Sequence, residues 1–175
     1  MSVHEQRASA GPMLNAYPDS IGGHLGDIVA FLGRPELEGV FKSFYILPSL
    51  FHTDLDRGFS VIDYGLNRQL ASEADLRALQ DSGVDLKLDF ILNHASVLSP
   101  QFQDIIANGE QSRYRDFFID WNQFWAGHGA MTPDGHIQPN AELIRDMFFR
   151  KPGLPILSVR FPDGREVPYR RSANL

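Results

Sequence analysis

The chain has 175 residues, of which 43% are hydrophobic and 22% are charged, and its formal net charge at pH 7 is −6. This composition is typical of a soluble globular protein, and the negative charge argues against nucleic acid and anionic membrane surfaces as partners. The sequence contains no cysteine, which excludes disulfides and thiolate metal sites. No apolar run approaches the roughly 18 residues of a membrane span, and we expect a cytoplasmic protein.

The first part of the chain predicts an alternation of strands and helices. Residues 1–11 are polar and predict a disordered leader with no signal peptide. Strands are expected at 13–16 and 40–47, separated by a helix within 25–32 whose apolar residues recur at helical spacing. A long loop is expected at 49–67.

A second helix and a third strand follow this loop. Ser72 and Asp75 resemble a capping box, and Gly83 would end the helix that they open. The third strand is expected at 84–92. The apolar residues on its packed face would be Leu86, Leu88, Phe90 and Leu92. Alternation of strands and helices with mostly short links predicts parallel βαβ units.

Polar residues gather at the end of the third strand. Asp89 and Asn93 fall on the face opposite the apolar residues, and His94 lies at the C-terminal end. In α/β folds, ligands bind where the parallel strands end. A carboxylate, an amide and an imidazole at this position therefore predict a polar ligand site.

The alternation stops at about residue 95, which is the predicted domain boundary. A short helix should begin at Ser99 and end at Gly109, followed by an aromatic segment at 117–125 that we expect to form core. Strands at 156–161 and 166–169 should form a hairpin. The predicted organisation has three parts: a leader at 1–11, a first domain at 12–94 and a second domain at 95–175.

Several motifs resemble glycoside hydrolase family 13, the α-amylase family. Asp89, Asn93 and His94 match the Asp-x-x-x-Asn-His signature that the family carries at the end of its third barrel strand. Within the family, residues 12–169 are similar to the sucrose phosphorylase group. The matching segments, in order, are Tyr17-Pro18-Asp19-Ser20, Ile46-Leu47-Pro48, Asp56-Arg57-Gly58-Phe59, Asn93-His94-Ala95-Ser96, Phe102-Gln103-Asp104 and Pro152-Gly153-Leu154-Pro155.

This resemblance implies a fold and an activity. The fold would be α/β: an incomplete (β/α)8 TIM barrel, made of the first three βα units, with part of the domain inserted after the third strand. The activity would be that of a retaining glycoside phosphorylase. Such an enzyme transfers glucose from sucrose or a related α-glucoside, including a phosphorylated one, to phosphate and gives α-glucose 1-phosphate.

The resemblance assigns no catalytic residue to this chain. The nucleophilic Asp of the family lies in an Arg-x-Asp pattern after the fourth strand, and the acid/base Glu follows the fifth. No Arg-x-Asp occurs in the 175 residues. We therefore expect this polypeptide by itself to be inactive.

The resemblance also assigns substrate-binding roles. Asp56 and His94 would contact hydroxyls of the glucosyl group, and Phe59 would supply an aromatic wall. Tyr17 would be either part of the floor of this site or a packing residue. Asp89 is expected to be structural, with its partner on the family's fourth strand, so that no partner is expected among these residues.

Arg150 and Lys151 lie where the family has an acceptor-site loop. Their positive charge suits phosphate or a departing fructosyl group, although a solvated basic turn is an alternative. The run Met147-Phe148-Phe149-Arg150 is closer to enzymes that act on phosphorylated sucrose than to plain sucrose phosphorylases, which carry a tyrosine there.

Neither a metal nor a cofactor is expected. No two of the six histidines are three or four positions apart, the spacing of metal-binding pairs on a helix. No EF-hand or phosphate-loop motif occurs either. The expected partners are a small sugar substrate and phosphate, and the sequence leaves the oligomeric state open.

Two alternative functions remain at this point. One is a family 13 hydrolase or transglycosidase, which uses water or another sugar as acceptor. The other is a non-catalytic remnant, or a module that binds carbohydrate or a partner. Three βα units would leave the outer edge of the third strand unpaired, so we expect residues 1–175 expressed alone to be poorly soluble or molten.

Overall fold

A computed structural model describes residues 10–54, 58–147 and 152–171. They fall into two compact units, the first ending at Ser96 and the second beginning at Val97. None of the helices in these ranges has both the length and the apolar character required to cross a membrane.

The first unit is built on a parallel sheet. Its elements are β1 (Met13–Ala16), α1 (Leu25–Leu32), β2 (Ser43–Ile46), β3 (Phe51–Thr53), β4 (Val61–Leu66), α2 (Glu73–Asp81) and β5 (Asp85–Leu88). The sheet has the order β1-β2-β5, and all three strands are parallel. The predicted βαβ units are confirmed as a mixed α/β arrangement, and across the described residues the sheet stays open.

Local hydrogen bonds fix both helices of the first unit. Ser72 Oγ accepts a hydrogen bond from the Asp75 amide and the Asp75 carboxylate accepts one from the Ser72 amide, so the predicted capping box is present. His24 caps α1 in the same reciprocal way with Asp27. Both helices pack on one face of the sheet, and the core there comprises Ala16, Leu25, Ile28, Phe44, Ile46, Leu50, Ala71 and Leu79.

Two predictions for this unit are wrong. The region expected to be a loop contains the antiparallel strands β3 and β4, and the register of this hairpin is irregular. The third strand, β5, ends at Leu88, and residues 89–94 form no strand. Its supposedly packed residues are exposed: Leu86, Leu88, Phe90 and Leu92. Among the described residues β5 is an edge strand that pairs only with β2, and Phe90 and Leu92 lie beyond its end.

The second unit is made of short elements. They are α3 (Pro100–Asn108), α4 (Trp121–Phe124), β6 (Gly129–Met131), β7 (Ile137–Pro139), α5 (Ala141–Ile144), β8 (Ile156–Arg160) and β9 (Glu166–Arg170). The predicted helix from Ser99 to Gly109 and the predicted β8–β9 hairpin are confirmed. The aromatic segment is core only in part, because Trp121 and Trp125 are buried whereas Phe117 and Phe124 are exposed.

Arg115 joins the parts of the second unit. Its guanidinium donates to Glu110 at 3.1 Å, to Asp120 at 2.6 Å and to the Tyr169 hydroxyl at 3.0 Å. Burial acts to lower the pKa of Arg115, but the hydrogen bonds to Asp120 and Glu110 outweigh it and raise the pKa above its ordinary value. The guanidinium therefore stays charged and serves as a structural anchor.

Candidate functional site

The candidate site lies where the parallel strands of the first unit end. Tyr17 directly follows β1, the β3–β4 hairpin follows β2, and residues 89–96 follow β5. Because parallel strands end at the same edge of a sheet, these three segments converge there.

The segment at 89–96 is irregular but firmly attached to the hairpin. The Ser96 amide donates to the Val61 carbonyl at 2.8 Å, and the buried Ser96 hydroxyl donates to the Asp54 carboxylate at 2.6 Å. The Tyr64 hydroxyl donates to the carbonyl of Ile91, and the Tyr64 ring lies 4.5 Å from that of Phe90 between centroids. These contacts hold the segment in one position without strand pairing.

Both ring nitrogens of His94 face oxygen acceptors. Nε2 lies 2.6 Å from the carbonyl oxygen of Phe59, and Nδ1 lies 3.0 Å from Asn93 Oδ1. Neither oxygen can donate, and a neutral imidazole carries a single N–H. The shorter contact, to the Phe59 carbonyl, favours Nε2 as the donor. The ring thus connects the segment after β5 to the tip of the hairpin.

Phe59 is held at the hairpin tip by Gly58. Gly58 has φ +108°, and a Cβ at this position would lie 1.8 Å from the carbonyl oxygen of Pro48. Only glycine fits such a conformation and such a close backbone approach. Phe59 is exposed, and its carbonyl oxygen is the one that contacts His94 Nε2.

A second polar group lies on the sheet face opposite the helices. Tyr45 and Lys87 pair in register, and the Lys87 ammonium lies 4.2 Å from the centroid of the Tyr45 ring. The Tyr45 hydroxyl donates to Asp89, so the expectation that Asp89 has no partner in this chain is wrong. This hydrogen bond, followed by burial and the Asp89 charge, raises the pKa of Tyr45, with a smaller contribution from Tyr17.

Sequence reasoning missed Tyr45 and Lys87. The available signal was the alternation along the strands, because Lys87 and Asp89 occupy the same face and Tyr45 faces them once the register is known. Neither residue type by itself distinguishes a site from an ordinary exposed sheet face.

The structure brings together only some of the predicted site residues. Phe59 and His94 are in direct contact. Tyr17 lies at the same edge, where its amide donates to Ser20 Oγ at 3.0 Å in the predicted turn. The remaining three fall outside the described residues: Asp56, Arg150 and Lys151. Among the residues that the structure describes, no group of three or more histidine, aspartate or glutamate side chains could hold a metal ion.

Comparison with known proteins finds sucrose 6(F)-phosphate phosphorylases among the relatives of this chain. The sucrose 6(F)-phosphate phosphorylase of Ilumatobacter coccineus is 59% identical over 157 residues, which cover 90% of this chain and 30% of that protein. The sucrose 6(F)-phosphate phosphorylase of Thermoanaerobacterium thermosaccharolyticum is 34% identical over 139 residues, which cover 79% of this chain and 26% of that protein. No protein-family model matches.

A solved structure agrees with these relatives. The crystal structure of sucrose 6F-phosphate phosphorylase from Thermoanaerobacter thermosaccharolyticum aligns with 96% of this chain and 33% of that chain, at a TM-score of 0.75 and 29% identity. The chain aligns with the N-terminal third of such structures.

The chain belongs to glycoside hydrolase family 13, as its motifs predicted. Within that family it is homologous to the sucrose phosphorylases and sucrose 6F-phosphate phosphorylases. It spans about 30% of the length of the curated relatives that it matches.

Proposed function

We propose that residues 12–94 supply the first three βα units of a (β/α)8 barrel and that residues 95–175 belong to a domain inserted after the third strand. The parallel order β1-β2-β5, with helices on one face, supports the barrel assignment. The change from one compact unit to the other after Ser96 supports the insertion.

The barrel would belong to a retaining phosphorylase acting on sucrose 6F-phosphate or sucrose. The observation that carries this proposal is the 59% identity, over 90% of the chain, to a sucrose 6(F)-phosphate phosphorylase. A retaining enzyme forms a covalent glucosyl–aspartate and then transfers the glucose, here to phosphate. The glucose keeps its configuration because each of the two displacements inverts the anomeric carbon.

This chain would bind the sugar but would not supply the residues that cleave the glycosidic bond. A retaining pair needs two carboxyl groups about 5–5.5 Å apart, and the family's Arg-x-Asp pattern is absent from this sequence. His94 Nε2–H, which donates to the Phe59 carbonyl, would donate to a glucosyl hydroxyl when substrate enters. Asp56 would accept from the sugar hydroxyls, and Phe59 would face the apolar side of the ring.

Arg150 and Lys151 would bind the acceptor phosphate or the phosphate of the donor. Arginine offers a planar fork of donors to phosphate oxygens, and lysine adds a compact charge. Tyr17 would lie on the floor of the glucosyl site. The substrates would therefore be an α-glucoside and inorganic phosphate.

The activity can be tested by restoring the length of the relatives. The 175 residues would be joined to the segment of the Ilumatobacter coccineus protein that follows its match to this chain. We expect glucose 1-phosphate to form from sucrose 6F-phosphate only when phosphate is present, and none to form with the 175 residues alone. Release of free glucose at the same rate in the absence of phosphate would instead indicate that the enzyme is a hydrolase.

A further inference from the structure

The Asn-His-Ala-Ser motif at 93–96 contains a serine that the proposed function leaves without a role. Ser96 is 0% exposed, although it lies at the end of a segment that forms no strand. Its hydroxyl donates to Asp54 Oδ2 at 2.6 Å, and its amide donates to the Val61 carbonyl at 2.8 Å. Ser96 therefore ties the end of the segment to the hairpin at two points, directly after β3 and at the start of β4.

The carboxylate that accepts this hydroxyl is itself held in place. The Asp54 amide donates to the Ser60 carbonyl at 3.2 Å, and the Thr53 hydroxyl donates to the same oxygen at 2.9 Å. Ser60 directly follows Phe59, whose carbonyl oxygen contacts His94 Nε2. The serine hydroxyl and the imidazole are thus bonded to the same part of the hairpin.

Tyr64 ties the segment to the hairpin a second time. Its hydroxyl donates to the carbonyl of Ile91, and its ring lies 4.5 Å from that of Phe90 and 5.3 Å from that of Phe51 between centroids. The two neighbouring rings fix the direction of the phenol, so its hydroxyl is aimed at one backbone oxygen. Tyr64 belongs to β4, as Val61 does, and the segment is therefore bonded to one strand at both of its ends.

His94 lies between these two ties. The bond from Tyr64 reaches the segment three residues before His94, and the bonds of Ser96 lie two residues after it. A short stretch of backbone that is fixed at both ends has few conformations, so the place of the imidazole depends on both ties. A group that binds substrate must be held within about 0.5 Å of its productive position.

We propose that Tyr64 and Ser96 are positioning residues, which place the His94 imidazole for the glucosyl group of the α-glucoside donor. Neither side chain touches the sugar, because each acts through the backbone that carries His94. This role rests on the proposed function, in which His94 donates to a glucosyl hydroxyl. Loss of either tie therefore weakens donor binding only while His94 is present.

Steady-state kinetics of the enzyme restored to the length of its relatives test this role. Tyr64→Phe removes the hydroxyl and keeps the ring between Phe51 and Phe90, and Ser96→Ala removes the buried hydroxyl. Each should raise the KM for sucrose 6F-phosphate roughly two- to fivefold. The kcat and the KM for inorganic phosphate should stay unchanged, because only binding of the glucosyl group is weakened.

A double-mutant cycle separates positioning from a general loss of stability. In a His94→Ala background, Tyr64→Phe and Ser96→Ala should cause no further rise in the donor KM, whereas a purely structural loss would persist. The matched controls are Tyr114→Phe and Ser158→Ala, which remove hydroxyls bonded within the second unit. Both controls should leave all three kinetic constants unchanged.

The intact 175-residue chain supplies a readout that needs no activity. Diethyl pyrocarbonate acylates unprotonated imidazole nitrogens, and peptide mass spectrometry reports each of the six histidines separately. We expect His94 to react roughly threefold faster in Tyr64→Phe and in Ser96→Ala than in the parent chain, because the freed backbone lets the ring leave the hairpin. His128 and His136, in the second unit, should react at unchanged rates.

Three results would each overturn the proposal. They are an unchanged donor KM in both variants, a rise in KM that persists in the His94→Ala background, and equal labelling of His94 in the parent and both variants. If the length-restored enzyme forms no glucose 1-phosphate, the proposed function fails, and the labelling alone decides whether the ties place His94. Faster labelling would then keep the two ties, and equal labelling would overturn them.

Discussion

The two units use their polar side chains differently. In the first unit the polar groups gather where the parallel strands end, and His94 and Asn93 lie partly or fully exposed there. In the second unit the strongest polar cluster holds the unit itself together, with Arg115 only 17% and Asp120 only 9% exposed. Perturbed or paired charges are therefore a guide to function only when their position in the fold is considered.

The largest effect expected from this comparison is on the second unit. Arg115→Met would leave the buried Asp120 carboxylate without its cation, and breaking such a pair costs about 3 kcal/mol of stability. Urea unfolding followed by tryptophan fluorescence would measure it, because both tryptophans lie in this unit. Arg145→Met, which removes an exposed 3.5 Å pair with Asp146, is the control and should change stability by less than about 0.5 kcal/mol.

A smaller effect is expected at the hairpin tip of the first unit. Gly58→Ala forces a Cβ toward the Pro48 carbonyl in a left-handed conformation and should cost about 2 kcal/mol. Thermal unfolding by circular dichroism would detect the loss. Gly23→Ala, where a Cβ would meet nothing within 4 Å, should be nearly neutral. Equal stability of the two variants would show that the tip can move away from Pro48.

Loss of the His94 imidazole should weaken sugar binding in the length-restored enzyme. His94→Ala removes the proposed donor to the substrate and the link to the Phe59 carbonyl, and one such hydrogen bond is worth about 1–2 kcal/mol. That corresponds to a rise in KM of roughly five- to thirtyfold. His52→Ala is the matched control, since His52 pairs with Asp63 on the hairpin outside the proposed contacts. An unchanged KM for His94→Ala would show that His94 does not contribute to substrate binding.

Local interactions were predictable from the sequence and long-range ones were not. The Ser72 and Ser99 caps form where predicted because each cap bond joins residues only three positions apart. Within β5 the alternation correctly indicated that Leu86 and Leu88 share a face. It did not indicate burial, because burial of Leu86 depends on whether another element covers that face, which the strand's own sequence does not determine. Likewise, the contact between Tyr45 and Asp89 joins residues 44 positions apart and follows only from the sheet register.

The smallest expected effect concerns the hydrogen bond between Tyr45 and Asp89. Asp89, as acceptor and nearby charge, raises the pKa of the Tyr45 phenol, so Asp89→Asn should lower that pKa toward its ordinary value. Titration followed by phenolate absorbance would show it. Burial also raises the pKa of Tyr169, so the titration would be followed in a Tyr169→Phe background, and Tyr45→Phe in that background would identify the Tyr45 component.

The sign of the pH effect follows from proton binding. The folded protein holds the Tyr45 proton to a higher pH than the unfolded chain, so its stabilising contribution is complete below the ordinary tyrosine pKa of about 10 and is lost as the pH rises through the raised value. Tyr45→Phe should remove this alkaline loss of stability, whereas Tyr114→Phe, at a phenol in the second unit, should leave it in place. If Asp89→Asn leaves the alkaline titration unchanged, the hydrogen bond does not hold Asp89 at the start of the segment that carries His94.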